Sequence, residues 1–431
     1  MTSPKQPPTT PLKIGMIGLG TVGQGTYKLI QRLPHLEVVA VAVQNLEKER
    51  GIDDLDTSLL TLDAQAVAVH PDIDILIEVA GGVEGTKELL EAAIQAGKHV
   101  VTANKALIAQ HGPELFALAK KHDVSLLFEA AVAGGVPIVT PLKMGLASNQ
   151  IEEIAGILNG TTNYILTRMM QDGWTYEAAL DKAKALGYAE ADPSSDVEGF
   201  DAAYKIAILA GLATGHWVNV KDMTVEGITP ITPREVDYAK QFGYTIRLVA
   251  LARLKNERPD VRVHPMLVPN EHPLSSVHNE YNAIWVRGDA VGDAMFSGKG
   301  AGELPTASSV MGDVLAIVAD LEAGNPKTAA GMILDLKEPA VLQPIGETTN
   351  RYYIRMTTAD EPGVLAALGT AFGDAGVSLE SFLQLPNPLN NPHTSLMVVT
   401  HIAQESSVQE ALSAIRSLAS TQAVDCVLRV L

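Results

Sequence analysis

A short apolar stretch, residues 12–17, runs directly into Gly18-Leu19-Gly20-Thr21-Val22-Gly23, and a helical stretch, residues 25–33, and a second apolar stretch, residues 36–43, follow. Strand, GxGxxG, helix and strand in that order restrict the fold more than anything else in the chain, because they open a doubly wound α/β sheet that binds a dinucleotide. Each glycine has a mechanical reason. Gly18 makes the tight turn, Gly20 lets a pyrophosphate approach the backbone, and Gly23 lets helix and strand pack closely. The helix start then presents unpaired N–H groups and the positive end of its dipole to the anion. Residues 73–80, 99–102 and 125–128 read as further strands, with helices at 86–96 and 113–122 between them.

An acid at the end of the second strand would hold the ribose hydroxyls of NAD, and an arginine would favour the 2′-phosphate of NADP. Gln44-Asn45 is neither, and Lys48 and Arg50 follow within reach of a phosphate, so the expectation leans to NADP with NAD left open.

The 431 residues exceed what one hydrophobic core serves, so two or three domains are expected. A net charge of −18 leaves no excess of cations for phosphate backbones, which argues against nucleic acid as a partner. The apolar runs are broken by Gly or charge well short of the ~20 residues of a membrane span. Residues 1–12, rich in Pro and Thr, read as a flexible tail without the apolar centre of a signal peptide. One cysteine, Cys426, excludes an intramolecular disulfide or a CxxC metal site. Together these point to a cytoplasmic enzyme of small molecules.

The middle of the chain carries the chemistry. Residues 129–137 form a turn of small residues, and the apolar stretch 154–158 leads into the turn Asn159-Gly160-Thr161-Thr162-Asn163. The segment 187–205 brings Glu190, Asp192, Asp196 and Glu198 just ahead of an apolar helix containing Asp201 and Lys205. Those last two, four residues apart, share one helical face. On a solvated face they would be a weak ion pair; on an otherwise apolar helix they are partly buried, where a lysine beside an acid suits proton transfer.

This stretch resembles the signature of the homoserine dehydrogenases, A-x-x-x-G followed by E-x-D-P-x-x-D-x-x-G-x-D-x-x-x-K, with Ala183, Gly187, Glu190, Asp192, Pro193, Asp196, Gly199, Asp201 and Lys205 at its fixed positions. Thr102-Ala103-Asn104-Lys105, Asn159-Gly160-Thr161-Thr162-Asn163-Tyr164 and Gly300-Ala301-Gly302-Glu303-Leu304-Pro305-Thr306 are further marks of that family. The resemblance implies interconversion of L-aspartate 4-semialdehyde and L-homoserine with NADP or NAD. It implies that Lys205 protonates the aldehyde oxygen, that Lys105 assists beside the cofactor, and that Asp201 orients Lys205. Glu190, with Asp196 nearby, would hold the substrate ammonium, and Gly160 and Thr161 its amino-acid end. Thr102, Lys105 and Gly302 would join Gly18–Gly23 at the cofactor. A monovalent cation, Na+, is implied at the Glu129 side chain and the backbone oxygens of Val132, Gly134 and Val136; a plain hinge turn is the other reading of those residues.

After the proline-punctuated residues 325–350 the pattern restarts. Strands at 351–357, 377–384, 394–400 and 424–430 and helices at 364–375 and 407–419 give a βαββαβ order with Asp360-Glu361-Pro362-Gly363-Val364-Leu365 at its first turn. This resembles an ACT domain, although the Asn- and Pro-rich loop 385–392 departs from the compact hairpin of many such domains. The two resemblances together imply an amino-acid effector bound at Asp360, Gly363 and Val364, namely threonine, an end product of the threonine, methionine and isoleucine biosynthesis in which homoserine dehydrogenases act; a dimerisation module without a ligand is the alternative.

The expected architecture is α/β: a tail (1–12), a Rossmann-type dinucleotide domain (13–135, to which helix 306–321 returns), an α+β substrate and dimerisation domain (136–305), a linker (325–350) and the ACT domain (351–431). A homo-oligomer, dimer or tetramer, is expected, with neither nucleic acid nor membrane as partner. Aspartate-semialdehyde dehydrogenase chemistry would need a cysteine in the catalytic part, where there is none. A catalytically inactive amino-acid sensor on the same fold is the alternative reading.

Overall fold

The computed structural model describes residues 11–255, 257–324, 336, 338–384 and 392–431. The expected tail up to residue 10, residues 325–335 and 337 of the expected linker and residues 385–391 of the Asn- and Pro-rich loop lie outside the described residues. The chain forms two compact units that interleave in sequence: one gathers the chain up to Gly160 with Asp201–Met223 and Glu280–Ala340, the other Thr161–Phe200, Thr224–Asn279 and Val341–Leu431. The expected linear division does not coincide with these units, because the residues expected to form the substrate domain contribute to both.

The first unit holds a six-stranded sheet in the order Leu60–Thr61, Leu36–Ala42, Leu12–Ile17, Ile75–Glu78, His99–Thr102, Leu126–Leu127. All its neighbours run parallel. The chain leaves Leu12–Ile17 in one direction and returns to its other side at Ile75–Glu78, which opens a crevice at the strand ends where such sheets take ligands. A second, antiparallel sheet in this unit joins Ile151–Ile157, Tyr281–Gly288 and Gly292–Lys299.

The helix Glu303–Glu322 packs its Val310, Met311, Val314, Ile317 and Val318 into the core formed by Ile14, Met16, Tyr27, Ile30, Val41 and Ile75. It has the length and apolar composition to cross a membrane, contrary to the expectation that no segment comes near that limit. Asp313 and Asp320 interrupt its apolar residues in sequence, and its apolar face is core.

The helix expected at 113–122 begins at Lys105 and carries Pro113 within it. Asn104 caps its start by accepting from the Leu107 N–H at 3.1 Å. Proline has no N–H for the carbonyl four residues back, and that carbonyl, Ala109, accepts instead from Trp217 Nε1 at 2.8 Å. The Trp217 indole lies against Gly112 of this helix and Gly211 of the helix Phe200–Thr214, where a Cβ would stand 2.9 and 2.7 Å from its ring. One residue thus fastens together the helix that begins with Lys105 and the helix that carries Lys205. Trp217→Phe keeps an aromatic ring of smaller size but removes the indole N–H and orphans the buried Ala109 carbonyl. It should lower stability by about 1–3 kcal/mol, read as a shift in the chemical-denaturation midpoint; an unchanged midpoint would mean the proline gap is filled in another way.

In the second unit, the helices from Gly160–Asp172 (Thr161 onward) to Ser194–Val197 precede the antiparallel pair Tyr244–Arg253 and Asp260–Pro269. The C-terminal residues fold in the expected βαββαβ order: Thr349–Ala359, Val364–Asp374, Leu379–Gln384, His393–Thr400, Glu405–Arg416 and Thr421–Val430, with the two-residue strand Ala403–Gln404 before the second helix. Their sheet runs antiparallel in the order Thr421–Val430, Thr349–Ala359, His393–Thr400, Leu379–Gln384. Cys426 is half-buried in the last strand, and burial pushes its thiol up to about 12. At its Thr421–Val430 edge this sheet continues into Asp260–Pro269 through a short parallel pairing, Met266 with Arg429 and Leu267 with Val430.

Candidate active site

The dinucleotide cradle forms at the end of Leu12–Ile17. Gly18 has a φ of 100°, and a Cβ there would stand 2.7 Å from the Ala80 backbone nitrogen; at Gly23 it would stand 2.4 Å from the Gly18 carbonyl oxygen. Both positions therefore require glycine. At Gly20 a Cβ would meet nothing within 4 Å, so the backbone there faces open space. Gly20 is also the N-cap of the helix Thr21–Ile30, and no side chain caps that end. The helix starts earlier than the sequence pattern suggests, because Thr21, Val22 and Gly23 already form its first turn. An uncapped helix start beside open space is the arrangement a pyrophosphate needs. Beyond the second strand, Arg50 donates to the Asn45 carbonyl at 2.6 Å and the Lys48 carbonyl at 2.8 Å, folding the loop around itself, while Lys48 is exposed.

Next to the cradle, a buried acid that the sequence reading overlooked organises the adjoining loop. Glu78, at the end of the fourth strand of the sheet, accepts from the Ala80 N–H at 2.9 Å, the Gly81 N–H at 3.0 Å and the Thr102 hydroxyl at 2.6 Å. Burial pushes its carboxyl up, against these hydrogen bonds. Thr102 Oγ1 in turn accepts from the Asn104 N–H at 3.0 Å, and Asn104 caps the helix that begins with Lys105. Thr102 is completely buried and its hydroxyl is committed to this chain of bonds, so the structure places it as a support for Lys105. The signal in the sequence was an acid within an otherwise apolar strand.

Asp201 stands between the two lysines. Its Oδ1 lies 2.7 Å from Lys105 Nζ and its Oδ2 2.6 Å from Lys205 Nζ. Asn159 Nδ2 donates to Oδ2 at 2.9 Å, and Lys205 also donates to the Leu158 carbonyl at 2.6 Å. The Asp201 and Lys205 side chains are 5% and 9% exposed, while Lys105 is 42% exposed, so the cluster is closed on one side and reachable at Lys105. Burial pushes the Asp201 carboxyl up, but Lys205 and Lys105 outweigh it and hold the group well below the usual carboxylate range. Two ammonium groups on one carboxylate leave a net positive charge at a mostly buried point. That charge can meet negative charge developing on a reacting oxygen. Leu158 and Asn159, at the end of Ile151–Ile157, were visible in sequence only as a strand end and a turn, not as partners of this cluster.

The other expected residues are placed as follows. Gly160 begins the helix Gly160–Asp172, and a Cβ there would stand 2.8 Å from the Glu280 carbonyl oxygen. In the second unit, the Thr161 hydroxyl donates to the Tyr188 carbonyl at 2.6 Å, Glu190 is exposed and Asp196 half-buried. Gly302 is the N-cap of Glu303–Glu322. Gly363 is the uncapped N-cap of Val364–Asp374, and Asp360 beside it accepts from Gln384 Nε2 at 3.1 Å; Gln384 was not foreseen.

At the turn after the dinucleotide sheet, the Glu129 carboxylate accepts from the N–H groups of Ile138, Val139 and Thr140 at 2.7, 2.8 and 2.8 Å. Asp313 accepts from the Glu129 N–H at 2.8 Å, and burial raises its carboxyl to about 8 against that hydrogen bond. No hydrogen bond to the carbonyls of Val132, Gly134 or Val136 is found among the described residues.

Residues 137–315 match a family model described as "Homoserine dehydrogenase", residues 18–129 one described as "Homoserine dehydrogenase, NAD binding domain", and residues 352–420 one described as "ACT domain". A homoserine dehydrogenase of Synechocystis sp. is 44% identical over 433 residues, covering 97% of this chain and 99% of that protein. The solved structure of a homoserine dehydrogenase from Thiobacillus denitrificans has a TM-score of 0.91 at 37% identity and covers 98% of both chains. A hyperthermophilic archaeal homoserine dehydrogenase solved in complex with NADPH has a TM-score of 0.62 at 27% identity, covering 72% of this chain and 98% of its own.

Proposed function

Because the chain belongs to the homoserine dehydrogenase family and is an NAD(P)-dependent oxidoreductase of that activity, we propose that its proton chemistry is carried by Lys205, Lys105 and Asp201. The observation that carries this reading is the Asp201 carboxylate held between the two ammonium groups. The bound nicotinamide supplies or accepts the hydride. Lys205 gives a proton to the aldehyde oxygen of L-aspartate 4-semialdehyde as negative charge grows there, and takes it back in the direction of homoserine oxidation. Lys105, the more exposed of the two, binds beside that oxygen and passes protons to solvent. Asp201 fixes both ammonium groups in place through one oxygen each. Glu190 and Asp196 hold the substrate ammonium, and Gly160 and Thr161 lie at its amino-acid end.

Gly18 to Gly23 and the uncapped helix start cradle the pyrophosphate, with Thr102 and Gly302 bordering the cofactor. Lys48, exposed on a loop without an acid at Gln44-Asn45, favours the 2′-phosphate of NADP over NAD. The carbonyls of Val132, Gly134 and Val136 have the hard-oxygen character that a monovalent cation such as Na+ requires. Glu129, with three N–H groups already on its carboxylate, adds only a remaining lone pair.

The ACT domain binds an amino-acid effector, and threonine acts through Asp360, Gly363 and Val364 at the uncapped start of Val364–Asp374. The enzyme works in the cytoplasm as a homo-oligomer; the edge strand Gly292–Lys299, with Met295 and the adjoining Val291 exposed, offers a surface for a second copy. The domain boundaries 13–135, 136–305 and 351–431 remain our assignment of these tasks along the chain.

Oxidation of NADPH and of NADH by L-aspartate 4-semialdehyde, each with and without L-threonine, tests these assignments. We expect turnover with both cofactors, a higher kcat/KM with NADPH, and suppression by threonine. Equal kcat/KM values would remove the NADP assignment, and a rate indifferent to threonine would remove that effector while leaving the dehydrogenase in place.

A further inference from the structure

The residues that join the ACT domain to the substrate segment form one continuous line within the second unit. Thr224–Val225 is a two-residue strand parallel to Asp260–Pro269, with Thr224 opposite Arg262 and Val225 opposite Val263. The Glu226 N–H then donates to the Val263 carbonyl at 2.8 Å, and the Ile228 N–H to the Val197 carbonyl at 2.8 Å. Between them Gly227 presses on the segment that carries Asp196: a Cβ there would lie 2.3 Å from the Val197 carbonyl oxygen and 2.6 Å from Glu198 Cα. Gly199, at a φ of 90°, faces Val225 and Val263 in the same way, with a Cβ 3.2 Å from each. Residues 225–228 are thus a strap across the turn 197–199, two residues ahead of Asp201 in sequence.

The one charged side chain of that strap, Glu226, is held from the ACT domain. Arg429, near the end of the last strand, places Nη1 at 3.0 and 3.1 Å from the two Glu226 oxygens. Its other edge grips Glu405, Nε to Oε2 at 2.9 Å and Nη2 to Oε1 at 3.1 Å. Glu405 opens the ACT helix Glu405–Arg416 and also accepts from the Tyr352 hydroxyl at 2.8 Å. The two halves differ in exposure. The Glu405 and Arg429 side chains are 5% and 9% exposed, whereas Glu226 is 44% exposed. The buried half lies within the ACT domain; the solvated half is the one that separates at the lower cost, because water compensates the separated charge.

We propose that Glu226 is a positioning residue for the substrate segment 190–199, and that Arg429 makes its grip depend on the state of the ACT domain. This rests on the reading above that Glu190 and Asp196 hold the substrate. A shift of the last ACT strand or of the start of Glu405–Arg416 draws Arg429 away from Glu226, loosens the strap over 197–199 and weakens substrate binding before it touches proton transfer.

Glu226→Gln in the full-length enzyme, with Glu226→Asp and Glu190→Gln beside it, tests this. We expect Glu226→Gln to raise the KM for L-aspartate 4-semialdehyde about threefold to tenfold, with kcat within about twofold and the cofactor KM unmoved. Glu226→Asp should restore part of the change. Amide hydrogen exchange without added amino acid should be faster at 197–199 in Glu226→Gln than in wild type. Unchanged KM and unchanged exchange would overturn the proposal, as would an equal fall in kcat for both substrates together with a lowered melting temperature. If Glu190→Gln leaves the semialdehyde KM untouched, the substrate reading itself fails. The exchange then decides the link alone: faster exchange at 197–199 supports it, and unchanged exchange removes it.

Discussion

Lys205→Ala should lower kcat by about 10²- to 10⁴-fold, the range associated with a positioned general acid, while the KM for the nicotinamide cofactor stays close to wild type. The ammonium of Lys205 donates to the Leu158 carbonyl and the Asp201 carboxylate, and the truncation removes it from both. Lys105, on the other Asp201 oxygen, begins a different helix whose start is fixed by the Asn104 cap. It retains part of the electrostatic stabilisation, which is why the loss should stop short of the uncatalysed rate. The variant should stay folded, since Asp201 keeps Lys105 and the Asn159 amide. Steady-state NADPH oxidation with L-aspartate 4-semialdehyde, with chemical denaturation as a control for folding, reads both. A folded Lys205→Ala enzyme within tenfold of wild type would assign the proton to another group, with Lys105 the first to examine.

Asp201→Asn should be the most destabilising single change at the site. It keeps the shape of the side chain but removes the anion shared by two lysines and sets an amide donor against an ammonium. Breaking a buried pair by removing one partner costs about 3–5 kcal/mol; with Lys105 42% exposed, solvent screens part of that side and the lower end is the expectation. The pH dependence follows from the direction of the shift. The Asp201 carboxyl is held below its ordinary range in the folded protein. Its contribution to stability is therefore fully present above the unfolded value of about 3.9 and is lost as the pH falls through the folded value. The gap in unfolding free energy between wild type and Asp201→Asn should be constant from neutral pH to about 5 and narrow only below about 4. Denaturation midpoints at pH 7, 5 and 3.5 would show it. A gap of the same size at all three would mean that the carboxylate is not the stabilising species. Activity should fall with stability, because neither ammonium is then held at its working distance.

Much of this protein is determined by residues close together in sequence. The glycine pattern from Gly18 to Gly23 is legible because its causes are local: a left-handed turn, a close crossing and a helix start lie within six residues. The Asp201–Lys205 pair is legible for the same reason, since a four-residue spacing on a helix fixes a shared face before any packing is known. The βαββαβ order of the C-terminal residues follows from alternating patterns and turn residues, and the structure returns it with shifts of a few residues at the element ends.

What the tertiary structure decided are the partnerships between distant residues. Glu78 gave only the hint of an acid in an apolar strand; the loop amides it binds lie two and three residues on, but Thr102 comes from the neighbouring strand, 24 residues away. Pro113 argued for a helix start, and only Trp217, 104 residues on, supplies the donor that lets the helix run through it. The pairing of Asp260–Pro269 with the last strand of the ACT domain, and with it the line from Glu405 through Arg429 to Glu226, lies beyond any local pattern. Periodicity states which face of a strand is apolar, and the neighbour that covers it is chosen by the packing of the whole unit.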